Sequence, residues 1–169
     1  SSIDVNPATN RIYFCNPSLT TVKVLDGTTN SIIASVPVGS GPGGLGVNSV
    51  TNRIYISDTA ANQVVVLDGT NHTTLATIPV GTTPRTLAVN QSTNKVYVSN
   101  NGSHTLTVLD GTTNQSLQTL PGLDQDFQFT LNPTSNQIYL GADNRVMALD
   151  GVTSAIRQSA SYSVQPTAT

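Results

Sequence analysis

Residues 93–114 read TNKVYVSNNGSHTLTVLDGTTN, and closely similar stretches occur at three other places in this 169-residue chain. TNRIYISDTAANQVVVLDGTNH stands 42 residues earlier, TNRIYFCNPSLTTVKVLDGTTN stands 42 residues before that, and a looser copy, SNQIYLGADNRVMALDGVTS, follows. A period of about 40–45 residues with four strand-like segments per unit is typical of a β-propeller blade. The stretch therefore predicts four blades.

Within one unit, β-branched and aromatic residues alternate with polar ones, and turn residues separate these runs. We expect a first strand at RTLAVN (85–90), a second at NKVYVSN (94–100) and a third at TLTVLDG (105–111), while TTLATIPVG (73–81) is the clearest fourth strand. No segment has a helical period. The chain is predicted to be all-β and one domain, 1–169, whose blades of four antiparallel strands cover about 1–40, 41–82, 83–123 and 124–169.

Two recurring turn signals join the strands. Residues 6–10 (Asn-Pro-Ala-Thr-Asn) and 132–136 (Asn-Pro-Thr-Ser-Asn) are turns in which Pro presets φ and Asn accepts left-handed geometry. Asp-Gly recurs at 26–27, 68–69, 110–111 and 150–151. There we expect the glycine to take the positive φ and the aspartate to accept backbone N–H groups.

Both faces of the third strand are largely apolar. Val22 and Val24 and their counterparts lie on one face, and a leucine recurs on the other face at 25, 67, 109 and 149. A sheet that packs between two neighbouring sheets requires this pattern, whereas a sheet with one solvent-exposed face does not.

The composition excludes several classes of function. Charged residues make up only 9% of the chain and the net charge is −2, so there is no basic patch for nucleic acid. The chain has no run of about 18 apolar residues, so the sequence predicts no membrane span. Cys15 is the single cysteine, which rules out an intrachain disulfide.

A polar surface of Thr, Ser and Asn favours an extracellular or cell-surface location. The chain begins at Ser1, which fits either removal of a leader or a piece of a longer protein.

The whole chain resembles the YVTN family of β-propeller repeats. The resemblance is carried by Tyr97-Val98-Ser99-Asn100, by its variants at 55–58 and 13–16, and by the flanking VLDGTTN, IPVG and LAVN segments. It implies the propeller fold and an extracellular or surface-layer setting, and it implies no particular activity.

Four repeats leave the closure of the ring open. Propellers have four to eight blades, so a closed four-blade ring is possible. We expect instead an open arc or part of a larger ring, whose end blades pack against another copy or another chain, because a bare apolar face would aggregate.

The acidic and histidine residues are interpreted as structural. One aspartate per blade, at 26, 68, 110 and 150, fits a turn role better than a metal site, and we predict no metal and no cofactor. His72 and His104 fall in loops on opposite faces of a propeller, so we expect two solvated loop residues rather than a shared site.

The face formed by the loops between fourth and first strands and between second and third strands is where propellers usually bind ligands. Candidate ligand-binding or partner-binding residues there are Arg85, His104, Asp126 and Phe127. Arg85 and Phe127 occupy equivalent positions and depart most from the repeat. Ordinary loop variation is the alternative. Asp4 replaces small residues of the other copies, so we expect it to point into a tight place and to pair with a neighbouring chain.

Four Asn-x-Ser/Thr sequons are present. Asn71, Asn101 and Asn114 are candidate glycosylation sites in exposed turns, whereas Asn90 ends a strand and is expected to be less accessible.

Three hypotheses for function remain. The first is a non-catalytic extracellular scaffold that assembles with itself, with another chain or with glycans. The second is a small-ligand-binding module, or part of a propeller enzyme such as a lyase, using the face of Arg85, His104 and Asp126. The third, a nucleic-acid or partner-protein reader, is disfavoured for nucleic acid because the seven basic residues are scattered.

Overall fold

A computed structural model describes residues 1–121, 123, 127–142 and 145–161, which form sixteen β-strands and no helix. The strands make four antiparallel sheets of four, each in sequence order, here called blades 1 to 4. Blade 1 contains β1 (Ser2–Asn6), β2 (Arg11–Cys15), β3 (Thr21–Asp26) and β4 (Ile32–Pro37). Blade 2 contains β5 (Pro42–Asn48), β6 (Arg53–Asp58), β7 (Gln63–Asp68) and β8 (Thr74–Pro79). Blade 3 contains β9 (Pro84–Asn90), β10 (Lys95–Asn100), β11 (Thr105–Asp110) and β12 (Gln115–Leu120). Blade 4 contains β13 (Gln128–Asn132), β14 (Gln137–Ala142), β15 (Arg145–Asp150) and β16 (Ile156–Ser161).

The predicted strands at 85–90, 94–100, 105–111 and 73–81 are confirmed to within one or two residues. The register between third and fourth strands shifts at the same place in all four blades, immediately before the recurring leucine. A recurring β-bulge of this kind increases the local twist of each sheet.

The prediction for the Asp-Gly turns is half wrong. Gly27 and its counterparts do not have positive φ; the left-handed residue stands three positions later, at Asn30, His72, Asn114 and Ser154. Glycine is needed for space instead, because a Cβ at Gly27 would overlap the side-chain oxygen of Asn10. The aspartate role is confirmed, since Asp26 Oδ1 accepts hydrogen bonds from the backbone N–H groups of Thr28 and Thr29.

The apolar core lies between the blades. We call the face that carries the second-strand tyrosine the Tyr face of a blade, and the face that carries the recurring third-strand leucine the Leu face. Three buried clusters pack the Tyr face of one blade against the Leu face of the next. They contain Tyr13, Val22 and Val24 against Ile54, Ile56 and Leu67; Tyr55, Val64 and Val66 against Val96, Val98 and Leu109; and Tyr97, Leu106 and Val108 against Ile138, Leu140 and Leu149.

A chain of asparagine pairs runs across the same three interfaces. Each pair joins the last residue of a first strand to the left-handed turn residue of the next blade. The donor and acceptor atoms are 2.8 Å apart for Asn6 and Asn52, 2.8 Å for Asn48 and Asn94, and 2.6 Å for Asn90 and Asn136. Since all three donor residues are buried, each amide needs this partner.

The first strands of consecutive blades lie side by side, with β1 against β5, β5 against β9 and β9 against β13. Asp4 belongs to this contact: its carboxylate accepts the N–H of Val47 at 2.8 Å and also that of Val5. Asp4 is thus partly buried between the two first strands. Its partner is the backbone of blade 2, so the expected pairing with a neighbouring chain is not what the structure shows.

Candidate functional site

The structure separates the four candidate residues instead of gathering them. Arg85 is an exposed residue at the start of β9, and His104 is partly buried in the loop between β10 and β11. Phe127 is only 1% exposed and packs against Phe129 inside the core of blades 3 and 4. Phe127 is therefore part of the core in this structure, because burying a large aromatic ring outweighs its loop position in the repeat, and its ligand-contacting role stays a prediction. Asp126 lies outside the described residues.

Arg85 lies at the edge of an open cleft of about 530 Å³ between the ends of the first strands. The cleft lies where β1, β5 and β9 begin, so it opens at the end of the molecule that carries the loops from fourth to first strands. Its lining is small and hydroxyl-rich: Ser2, Gly43, Gly44, Thr59, Arg85 and Thr86 are among the residues around it. The sequence signal for this cleft is the glycine-rich stretch 39–44, in which Gly43 occupies the position that Arg85 holds in the next repeat.

The backbone under Arg85 is held by the neighbouring blade. A Cβ at Gly44 would overlap the carbonyl oxygen of Arg85, so only glycine permits this approach of β5 to β9. The buried hydroxyl of Ser57 donates to that carbonyl at 2.9 Å and accepts the N–H of Gly44 at 2.6 Å. Thr59 donates to the carbonyl of Pro84 at 2.7 Å. These contacts fix the point from which the Arg85 side chain leaves β9.

Arg85 differs from the other basic residues whose side chains the structure describes. Each of those five donates to a partner. Arg11 donates to Asp26, Lys23 to Ser35, and Arg157 to Asp150. Arg53 donates to the carbonyl of Gly111, and Lys95 donates to that of Val152. The Arg85 guanidinium makes no hydrogen bond or ion pair with any described residue. With respect to the described residues, its charge is therefore available to an anion in the cleft.

The histidines are less solvated than the sequence predicted. His72 packs edge-on against Tyr13, with 6.2 Å between ring centroids, and its Nε2 is buried without a hydrogen bond. Burial lowers the pKa of His72, the nearby Arg11 charge lowers it further, and Asp68 opposes both effects. His104 has its Nδ1 buried without a partner and does not line the cleft of Arg85. As predicted, the two residues occupy different kinds of loop, between third and fourth strands and between second and third strands.

The recurring aspartates are occupied by their turns. Asp150 accepts the N–H groups of Val152 and Thr153 and pairs with Arg157. These bonds lower the pKa of Asp150, and turn N–H bonds likewise lower the pKa of Asp26, Asp68 and Asp110. Burial raises the pKa of the Cys15 thiol, which keeps it protonated. Within the described part of the chain, no group of three His, Cys, Asp or Glu residues could hold a metal ion.

The candidate glycosylation residues differ in exposure. Asn71 is exposed in the turn between β7 and β8, although its side-chain oxygen accepts hydrogen bonds from Thr73. Asn114 is partly buried, and Arg53 of blade 2 donates to its side-chain oxygen at 3.3 Å. Asn101 is also partly buried. Asn90 is buried and bonded to Asn136, so its sequon is inaccessible in the folded chain.

The two end blades leave one apolar face each without cover from the described chain. On the Leu face of blade 1, Ile3 is 69% exposed and Val5 is 48% exposed, whereas their counterparts Leu45 and Val47 in blade 2 are buried. On the Tyr face of blade 4, Val146 is 42% exposed, whereas its counterpart Val64 is buried. These two faces are a second candidate functional surface.

Comparison with known proteins places the fold and leaves the function open. No family model matches the chain, and no curated protein matches it. Two solved structures are similar. Hydrazine synthase of Kuenenia stuttgartiensis matches with a TM-score of 0.84 and 18% identity, over 94% of this chain and 47% of that chain. A protein from Desulfotomaculum acetoxidans DSM 771, described as functionally unknown, matches with a TM-score of 0.79 and 14% identity, over 94% of this chain and 55% of that chain. At these identities the likeness shows the fold alone, which is all-β and β-propeller-like. The chain spans about half the length of each of these two chains.

Proposed function

We propose that this chain is a non-catalytic structural and interaction protein of the cell surface or extracellular space. It is an open arc of four propeller blades, related to the YVTN repeats, that acts by packing its end blades against another polypeptide. The observation that carries the proposal is the exposure of Ile3 and Val5, because the same positions are buried in blade 2 by the preceding blade.

The surface chemistry supports the extracellular setting. Only 9% of residues are charged, and the exposed turns are built from Thr, Ser and Asn. Asn71 offers an exposed sequon in such a turn, which fits a glycoprotein, with Asn101 and Asn114 as weaker candidates. No helix among the described residues is long and apolar enough to cross a membrane.

The hydrogen bonds made by the polar side chains support a non-catalytic role. The four turn aspartates accept backbone N–H groups, and the donor asparagines at the ends of first strands bond to the next blade. Bonds of this kind stabilise the turns and the contacts between blades, which supports a structural role for these side chains.

The experiment is to measure dye binding to exposed apolar surface by the purified chain, together with its native mass by light scattering across a concentration series. If the end faces are open, single copies should bind the dye strongly. If copies associate through these faces, the association should remove the dye binding. Ile3→Lys with Val5→Lys is expected to reduce dye binding, and Val50→Lys in an exposed turn is the control. A single copy of 17.6 kDa that binds no dye would contradict the proposal, because its end faces would already be covered.

A second candidate function rests on the cleft of Arg85. A guanidinium that pairs with no described residue, beside hydroxyls and glycine backbone, is suited to a small anionic ligand such as a carboxylate. A propeller enzyme such as a lyase belongs to the same alternative, which rests on Arg85 and the cleft alone, because His104 does not line the cleft. Calorimetric titration with citrate, succinate and phosphate tests it: binding by the natural chain that is lost in Arg85→Ala supports it. Equal results for both chains would remove it.

A further inference from the structure

We propose that the Tyr face of blade 4 in one copy of this chain docks head to tail on the Leu face of blade 1 in a second copy. The contact would repeat the interface that already joins blades 1 and 2, 2 and 3, and 3 and 4. This inference rests on the proposed function and deepens it, because it names the partner and the two faces that meet.

The apolar side chains of the two end faces match by position. The Tyr face of blade 4 presents Tyr139 and Val146, the counterparts of Tyr97 and Leu106, which are buried against blade 4. The Leu face of blade 1 presents Ile12, Phe14 and Leu25, which are only partly buried although their counterparts Ile54, Ile56 and Leu67 are completely buried. Each end face therefore carries one half of an interface that the chain completes three times internally.

The asparagine pairs provide a match in hydrogen bonding. Asn10 occupies the acceptor position of Asn52, Asn94 and Asn136, but no described residue donates to its side-chain oxygen. Asn132 occupies the donor position of Asn90 and is exposed, and its side-chain nitrogen has no acceptor among the described residues. Docking blade 4 on blade 1 would pair these two side chains in the manner of the other three.

The hydroxyls of two of the three interface tyrosines provide a second match, whereas the Tyr55 hydroxyl is buried without a hydrogen bond. Tyr97 donates to the carbonyl of Gly151 in the next blade at 3.3 Å, and Tyr13 reaches that of Gly69 at 3.5 Å. Tyr139, which has no next blade within the described chain, donates to Gln137 of its own strand at 2.6 Å. The carbonyl of Gly27 would be its acceptor in a second copy.

Lys23 is the one charged departure on the Leu face of blade 1. Its counterparts Val65, Thr107 and Met147 are buried in interfaces. The Lys23 amine donates to Ser35 on β4 at 2.8 Å, which directs the charge along the sheet toward the outer strand. The methylene stem can then contribute apolar contact while the charge stays at the rim.

Two copies joined in this way would contain eight blades, which is within the range of known propellers. A head-to-tail contact uses different surfaces on the two partners, so it either closes into a ring or continues as a filament. Both results depend equally on the two faces proposed here.

The test is a complementation experiment by sedimentation velocity. Ile3→Lys with Val5→Lys blocks only the Leu face of blade 1, and Thr130→Lys with Val146→Lys blocks only the Tyr face of blade 4. Val50→Lys with Leu75→Lys is the control, because both residues are exposed on blade 2 away from the end faces. All substituted positions are exposed, and circular dichroism with urea midpoints verifies that each variant is folded.

We expect the natural chain and the control to associate, each blocked variant to stay at the mass of one copy, and an equimolar mixture of the two blocked variants to form a pair of twice that mass. Asn132→Ala in the mixture should weaken the pair by roughly tenfold, about the effect of one buried hydrogen bond. Adding Asn10→Ala should weaken it little further.

Three results would overturn the inference. If the mixture of blocked variants stays at the mass of one copy while the natural chain associates, these two faces do not meet each other. A blocked variant that associates by itself would show instead that like faces meet like faces. In both cases the proposed function survives without this contact. If the natural chain is a single copy at every concentration, the head-to-tail contact is absent. In that case dye binding decides the proposed function separately, because open faces bind dye and covered faces do not.

Discussion

The side-chain nitrogen of Asn48 donates a 2.8 Å hydrogen bond to the side-chain oxygen of Asn94, which joins the end of β5 to the turn between β9 and β10. The oxygen of Asn48 accepts the N–H groups of Val50 and Thr51 in its own turn. One buried side chain therefore both caps a turn and connects two blades. The relation recurs every 42 residues, so each blade is positioned by its neighbour through the same pair.

Asn48→Ala tests the value of this connection. Asn132→Ala is the matched control, because Asn132 caps its turn through Thr134 and Ser135 but bonds to no further blade within the described chain. We expect Asn48→Ala to lower the free energy of unfolding by about 1–3 kcal/mol more than Asn132→Ala, since it leaves the partly buried Asn94 side chain without its inter-blade donor. Urea unfolding at protein concentrations where the chain is a single copy measures the difference. Equal losses would show that only the turn caps matter.

Gly44→Ala tests the close approach of β5 to β9. The new methyl group would overlap the Arg85 carbonyl, so we expect a loss of about 1–3 kcal/mol in the free energy of unfolding, as for other overpacked sites. Gly141→Ala is the control, because no atom lies within 4 Å of its Cβ position. There we expect no loss, or a gain of about 0.4–1 kcal/mol from the less flexible unfolded chain. Thermal unfolding of the two variants compares them, and similar midpoints would argue against the tight contact.

The turn aspartates predict a loss of stability in acid. Hydrogen bonds from turn N–H groups lower the pKa of Asp68 and Asp110 in the folded chain, so the unfolded chain binds more protons as the pH falls. Their stabilising contribution is thus complete near neutral pH and is lost progressively below about pH 5. Asp68→Asn with Asp110→Asn keeps an acceptor for the turn and removes this titration. We expect a flatter dependence of the urea midpoint on pH between neutral and acidic buffers. An unchanged slope would mean that other groups control acid unfolding.

His72 predicts a separate loss of stability at mildly acidic pH. Because burial lowers its pKa in the folded chain, the unfolded chain takes up the proton first. Stability should therefore decline as the pH falls from the ordinary histidine pKa of about 6.5 through the lower folded value. His72→Asn should remove this decline without disturbing the turn, because Asn30 and Asn114 hold the same left-handed position in other blades. Urea midpoints of both chains at pH 7.5 and 5.5 check it, and identical changes would contradict it.

The repeated pattern was enough to predict the strands and most of the turns. Alternation of side chains along an extended strand is a local property, so the period of two and the turn residues between strands appear directly in the sequence. The left-handed residue at Asn10 and its counterparts, and the capping role of Asp26, are also local, because each interaction spans only a few residues.

What the sequence did not predict are contacts between blades. Asp4 bonds to Val47, Ser57 bonds to Arg85, and Phe127 is buried in the core instead of standing open beside Arg85. Those outcomes depend on how closely one sheet approaches the next, which the spacing of residues along a single repeat does not contain. By itself the sequence determined that four similar sheets form. The tertiary structure adds which faces are buried, which are exposed at the two ends, and where Arg85, which pairs with no described residue, lies. These features follow from the packing of whole sheets against one another.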